Sequence, residues 1–222
     1  AVHILSLKHN IPVYHPKNFA PLNTINEFKE LNSDIAVVMG YGILLPKSIL
    51  KTPVHGSINI HVSLLPRWRG AAPIEHAILN GDRVTGVSIF QLEEKLDSGL
   101  IIASQEINID ENISKEDLVI QLNALGTSLL INILPDFFDK KITLHKQNEK
   151  NVTYAEKITP EHRKINFNNE VDAVYNQIRA FAPNPSAWFM LNNERINIIK
   201  CSMKICNTEV STIINDQLHI GC

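Results

Sequence analysis

Apolar residues recur along the chain in two alternating rhythms. "AVHILSLKHN" spaces them as one face of an amphipathic helix that closes near Asn10, and a short strand "VYH" then precedes Pro16. "NTINEFKELNSDIAVVMGYG" gives a second helix and then a solid apolar strand from Ile35 to Met39, closed by Gly-Tyr-Gly. A third unit repeats the plan, with a short helix around Pro46 to Leu50 and the strand "SINIHV". Strands without a polar face, alternating with helices, predict an α/β fold: a mostly parallel, Rossmann-like sheet with helices on both faces.

The same reading continues through the helix "APIEHAILNG", which has Pro73 in its first turn and Gly81 past its end. Strands follow at "GVSIFQLE" and "GLIIASQEINI", then a long helix from Ser114 to Asp139 with Glu116 and Asp117 in its first turn. Residues 1–150 therefore form one α/β unit. A polar, weakly periodic linker spans 151–169. Residues 170–222 begin with the helix "VDAVYNQIRAFAP" and continue as short antiparallel strands with turns at Asn192-Asn193 and Asn215-Asp216. They predict a small β-barrel-like second domain.

Composition narrows the class. The chain has 222 residues, 44% hydrophobic and 20% charged, so it can bury a core without disulfides. Cys201, Cys206 and Cys222 lack the spacing of a zinc site, and none of the nine histidines forms a clear metal spacing with nearby acids, so no metal is expected. Reduced, inert thiols point to the cytoplasm. No apolar run approaches the ~18 residues of a membrane span, and the start of the chain carries neither a basic leader nor a cleavage site, so neither insertion nor export is expected. A net charge of −2 creates no broad field for nucleic acid, and composition alone does not suggest an RNA partner.

Candidate chemistry sits where "SINIHV" empties into "SLLPRWRGAAP". Alternation puts Asn59 and His61 on one face of that strand, at its carboxyl end, where open α/β sheets bind ligands. In "QLEEKLDSGLII", Asp97 opens a turn between two strands; a carboxylate brought beside an imidazole orients the ring and stabilises its protonated form. Spacing alone leaves ordinary turn chemistry open for Asp97, and a satisfied strand-end histidine open for His61. Ser63 has no adjoining base in a nucleophile elbow, so "SLLP" reads as a ligand-lining loop, and His76 reads as a partly exposed helical residue. No G-x-S-x-G, Walker, G-x-G-x-x-G or H-E-x-x-H pattern occurs.

The stretch "INIHVSLLPRWRGAAPIEHAILNGDRVTGVSIFQLEEKLDSGLII" resembles the core of the folate-dependent formyltransferases, in the version of those acting on methionyl-tRNA. The family's N-x-H pair followed by "SLLP" is met by Asn59, His61 and Ser63 to Pro66, and its Asp before a small residue and Gly by Asp97. "VTYAEKI" and "IRAFAPNPSAW" resemble the same enzymes' linker and the start of their C-terminal barrel. The family's opening βαβ unit with its GTP-x-F-A-like turn, and the end of its barrel, have no counterpart in these residues, so a partial catalytic domain and a partial tRNA-binding barrel are expected.

The resemblance implies transfer of a formyl group from 10-formyltetrahydrofolate to the α-amino group of methionyl initiator tRNA, by a monomer at no membrane. It implies that Asn59 and His61 hydrogen-bond the developing oxyanion and that Asp97 holds His61. Ser63, Leu64, Leu65 and Pro66 line the folate site, and "GYGILLP" from Gly40 is either a further wall or helix-start packing. Arg67 and Arg69 either face substrate phosphate or carboxylate or are solvated loop residues. Other users of the same donor, a sugar-nucleotide formyltransferase or a hydrolase, share the three polar residues, and a non-catalytic folate- or RNA-binding fragment is the remaining alternative.

Overall fold

The computed structural model describes residues 2–43, 45–204, 209–213, 215 and 219–222. Helices α1 (Val2–Lys8) and α2 (Leu22–Glu30) precede strand β1 (Ala36–Val38), α3 (Lys47–Leu50) and β2 (Ser57–His61). A two-residue strand β3 (Arg69–Gly70) and α4 (Pro73–Leu79) lead into β4 (Val84–Gln91), β5 (Ile101–Asn108) and the long α5 (Lys115–Phe138). The short β6 (Tyr154–Ala155), α6 (Val171–Phe181), β7 (Ala187–Leu191) and β8 (Glu194–Ile198) follow. The Val-Tyr-His segment before Pro16 is irregular, not a strand.

The main sheet has the order β1-β2-β4-β5. β1 and β2 run parallel, as the helix between them allows, with Val38 opposite Asn59. β2 and β4 run antiparallel with Ile60 opposite Ile89 and His61 opposite Ser88, and β4 and β5 are antiparallel too. The α/β class therefore holds with a mixed sheet. Residues 92–100, which join β4 to β5, contain no helix to carry the chain back, so an antiparallel return is the short solution. The near-continuous burial of β4 marks a strand covered on both sides, and that signal does not encode direction.

Pairing sorts the two faces. Ile58, Ile60, Val87 and Ile89 share one face with the core that α5 completes through Leu118 and Leu122. Each such fully buried aliphatic side chain contributes about 1.5–3 kcal/mol. Ser114 caps α5, accepting from the Asp117 amide. Gly126 brings the helix down onto the sheet: a Cβ there lies 2.9 Å from Ile60 Cγ2. Gly126→Val is expected to lose about 1–3 kcal/mol by overpacking, read as a lower urea midpoint. By length and composition α5 could cross a membrane, since an 18-residue window reaches a mean hydropathy of 1.6. That corrects the expectation that no segment approaches span length; here α5 packs on β4 and β5.

The opposite face of β2 and β4 carries Asn59, His61 and Ser88 and is overlaid by the loop from Val62 to Ala72, where a helix was expected. The segment after α5 returns to this loop. β6 pairs with β3, and the Trp68 amide donates to Thr153 Oγ1. α6 packs on α4, and its buried Arg179 donates to the carbonyls of Asp110 and Ile113. Val174, Ile178 and Phe181 cluster with Ala187 and Phe189 of the β7–β8 hairpin. Asn192 and Asn193 both have positive φ, as the expected tight turn requires. Ile213 and Ile220 form an antiparallel bridge around the second expected turn, whose Asp216 lies outside the described residues, as do Cys206 and Leu44. Burial pushes the Cys201 thiol up.

Candidate active site

Beyond His61 the chain turns sharply and is pinned to β4 by hydroxyls. Ser63 Oγ donates to the Arg67 carbonyl at 2.6 Å. Ser88 Oγ donates to the Ser63 carbonyl at 2.8 Å and accepts from the Leu65 amide at 3.0 Å. This folds Trp68 back over β2, where its carbonyl meets His61 Nε2 at 2.8 Å. A carbonyl only accepts, so Nε2 carries the proton and the other ring nitrogen faces away from the loop backbone.

That other nitrogen faces Asp97. His61 Nδ1 lies 3.8 Å from Asp97 Oδ2, with both side chains buried. Asp97 has φ +47°, a conformation Asp tolerates, and its Oδ2 accepts the Gly70 amide at 2.8 Å. Gly70 is at φ +123°, and a Cβ would stand 2.5 Å from the Ala155 carbonyl oxygen, so only glycine can present that amide here. Phe90 packs edge-on against the imidazole, with centroids 6.4 Å apart. Asn59, on the same face by alternation, is half-buried, and its amide makes no hydrogen bond among the described residues.

Other sequence-selected residues are placed differently. Ser63 and Leu65 are buried, and the Ser63 hydroxyl is spent on its own loop; Leu64 and Pro66 remain partly exposed. Arg67 forms a two-pronged ion pair with Asp82, which also accepts from the Trp68 indole, and its guanidinium lies 4.3 Å from that ring's centre. Arg69 has no solvent exposure; it donates to Gln147 Oε1 and to Glu149, whose carboxyl it holds below the usual range. Both arginines are thus paired with the protein's own acceptors, Arg67 on the exposed side of the loop and Arg69 fully buried. His76 is half-buried and bonds the Glu156 carbonyl.

Two cavities lie nearby, and neither is lined by Asn59, His61 or Asp97. One, of about 690 Å³, is bounded by Leu50, Pro53, Ser57 at the start of β2, and Leu92 to Lys95, the segment leading into Asp97. The other, of about 540 Å³, is more apolar and runs along β1 past Phe19, Phe28, Met39 and Leu45, with Tyr41 of the Gly-Tyr-Gly segment in its wall. Sequence reasoning missed Gln147, whose amide nitrogen donates to the carbonyls of Asp97 and Gly99. It stands in the polar "HKQNEKN", where no spacing distinguishes it.

The family model described as formyl transferase matches residues 2–134, and that of the formyl transferase C-terminal domain matches residues 157–222. The methionyl-tRNA formyltransferase of Wolbachia sp. subsp. Drosophila simulans (strain wRi) is 40% identical over 220 residues, covering 99% of this chain and 72% of that protein. That of Bartonella quintana (strain Toulouse) is 38% identical over 218 residues, covering 96% and 71%. Among solved structures, a 4-N formyltransferase from Francisella tularensis shares the fold with a TM-score of 0.75 at 19% identity, covering 92% of this chain and 83% of that one. An N-formyltransferase from Helicobacter canadensis, solved with folinic acid and dTDP-3-aminofucose, gives 0.71 at 23% identity, covering 87% and 68%. The chain belongs to the formyl transferase family, in the branch of the methionyl-tRNA formyltransferases.

Proposed function

We propose that the chain transfers the formyl group of 10-formyltetrahydrofolate to the α-amino group of methionine esterified to initiator tRNA, a cytoplasmic step in translation initiation. The observation that carries this reading is the Asn59 side-chain amide, without a hydrogen bond among the described residues, on the same strand face as a histidine that lies between the Trp68 carbonyl and the Asp97 carboxylate. It occurs in a chain alike over nearly its whole length to enzymes bearing that name. In this reading residues 1–150 form the catalytic domain, 151–169 the linker, and 170–222 the tRNA-binding domain of a monomer. Lys164 and Arg195 lie 5.7 and 4.4 Å from the Trp188 ring centre, a cationic and aromatic surface suited to RNA.

The chemistry follows from the polar groups. An α-amine with a pKa near ~8 is appreciably neutral at cellular pH and attacks the formyl carbon directly, so no enzyme nucleophile is needed. A carbon–nitrogen bond forms to the amine, the bond to the folate nitrogen breaks, and one proton passes from the amine to that nitrogen. The Asn59 amide donates to the carbonyl oxygen as it gains negative charge. His61, with Nε2 committed to Trp68, handles the proton through Nδ1, and Asp97 stabilises the imidazolium; this replaces the oxyanion-donor role read for His61 from the sequence. The 690 Å³ cavity, bounded by the start of β2 and by the segment leading into Asp97, is the proposed seat of the folate ring.

A single-turnover assay with formyl-labelled donor tests the reading. Label is expected on methionyl initiator tRNA. Label on an amino-sugar nucleotide instead, or release of formate without any amine, overturns it in favour of a sugar transferase or a hydrolase, and binding without transfer overturns enzymatic activity altogether.

A further inference from the structure

We infer that Gln147 is a positioning residue for the reaction: the buried cation of Arg69 fixes its amide, and the amide fixes the Asp97 turn against His61. This rests on the formyl-transfer reading. Arg69 offers only donors, and its Nε and Nη2 reach Gln147 Oε1 at 3.0 and 2.8 Å. The orientation of the Gln147 amide is thereby set, with its nitrogen turned to the opposite side. That nitrogen donates to the carbonyls of Asp97 at 2.8 Å and Gly99 at 2.9 Å, gripping the turn on both sides of Ser98.

The grip matters because the turn is tightly constrained. Asp97 holds φ +47°, and Gly99 backs onto β4 so closely that a Cβ there would fall 1.7 Å from the Gln91 carbonyl oxygen. The carboxylate is fixed separately by the Gly70 amide. Backbone and side chain of Asp97 are therefore held from two directions, leaving Oδ2 facing His61 Nδ1. Arg69 and Gln147 are both buried, and Arg69 keeps one nitrogen, Nη1, without a partner among the described residues. A buried, incompletely paired cation costs stability, and here its hydrogen bonds set the Gln147 amide.

Two substitutions test this. Gln147→Glu keeps acceptors for Arg69 while removing both donors to the turn, and Gln147→Met removes donors and acceptors together. Both are expected to lower kcat by about 10- to 100-fold, as a displacement of an ångström does, with KM for 10-formyltetrahydrofolate within about twofold. Hydrogen exchange gives a readout independent of turnover. In Gln147→Glu the Gly70 amide, which donates to Asp97, is expected to exchange about tenfold faster, whereas the adjacent Arg69 amide, bonded to the Thr153 carbonyl, stays protected. Unchanged Gly70 exchange, or a Gln147→Glu chain with undiminished kcat, overturns the assignment. An unsubstituted chain that transfers no formyl group overturns the functional reading beneath it, and turnover of that chain tells the two failures apart.

Discussion

Replacing Asn59 by alanine is expected to lower kcat by about 10²- to 10³-fold while KM for the formyl donor stays within a factor of about two. The asymmetry follows from where the side chain sits. Its amide is on the His61 face of β2 and has no hydrogen bond among the described residues, so no described hydrogen bond of the fold is lost with it. A ground-state formyl oxygen is a weak acceptor, and it becomes a strong one only as the amine adds. A donor already aimed at that point contributes mainly in the transition state, about 3–4 kcal/mol in a site that excludes water. Asn59→Asp sharpens the test: it keeps size and polarity but faces the developing anion with a carboxylate, and it is expected to be at least as inactive as the alanine variant. A variant with raised KM and intact kcat would show that Asn59 binds the donor and does not stabilise charge.

How far this site could be read from the amino-acid sequence depends on which signal each residue carries. Asn59 and His61 announce themselves because polar side chains at i and i+2 in an apolar strand need an account, and the break after Val62 marks the strand end. Helix α5 was legible from Ser114 to Asp139 because capping, first-turn acids and length agree, and the Asn192-Asn193 turn because positive φ selects asparagine. Strand direction in β4 was not, since burial on two faces looks alike in parallel and antiparallel pairs. The partners of Arg67 and Arg69 stay out of view for a related reason: a sequence shows that a cation is present but not that Asp82 or Gln147 comes from elsewhere in the chain to meet it. Nor does the motif Ser63 to Pro66 show that Ser63 and Leu65 turn inward to build the loop while Leu64 and Pro66 stay partly exposed. Long-range partners of buried polar groups are set by tertiary packing, and neither periodicity nor spacing records them.

Asp97→Asn is expected to produce the largest loss, a fall in kcat of about 10³- to 10⁴-fold in a chain that folds normally. The introduced amide can still accept from the Gly70 N–H through its side-chain carbonyl, and the backbone at this position can still be gripped by Gln147, so the turn survives. What disappears is the negative charge facing His61 Nδ1. With Nε2–H fixed on the Trp68 carbonyl, a proton taken up at Nδ1 makes an imidazolium of a buried side chain, and without an adjacent anion that cation is costly. Asp97→Ala separates charge from architecture, because it removes the Gly70 acceptor as well and is expected to lose about a further 1–3 kcal/mol of folding stability through that unpaired amide. Urea unfolding beside single-turnover kinetics distinguishes the two variants. Equal activity of Asp97→Asn and the unsubstituted chain would remove the carboxylate from the proton path and leave Asp97 as a turn residue alone.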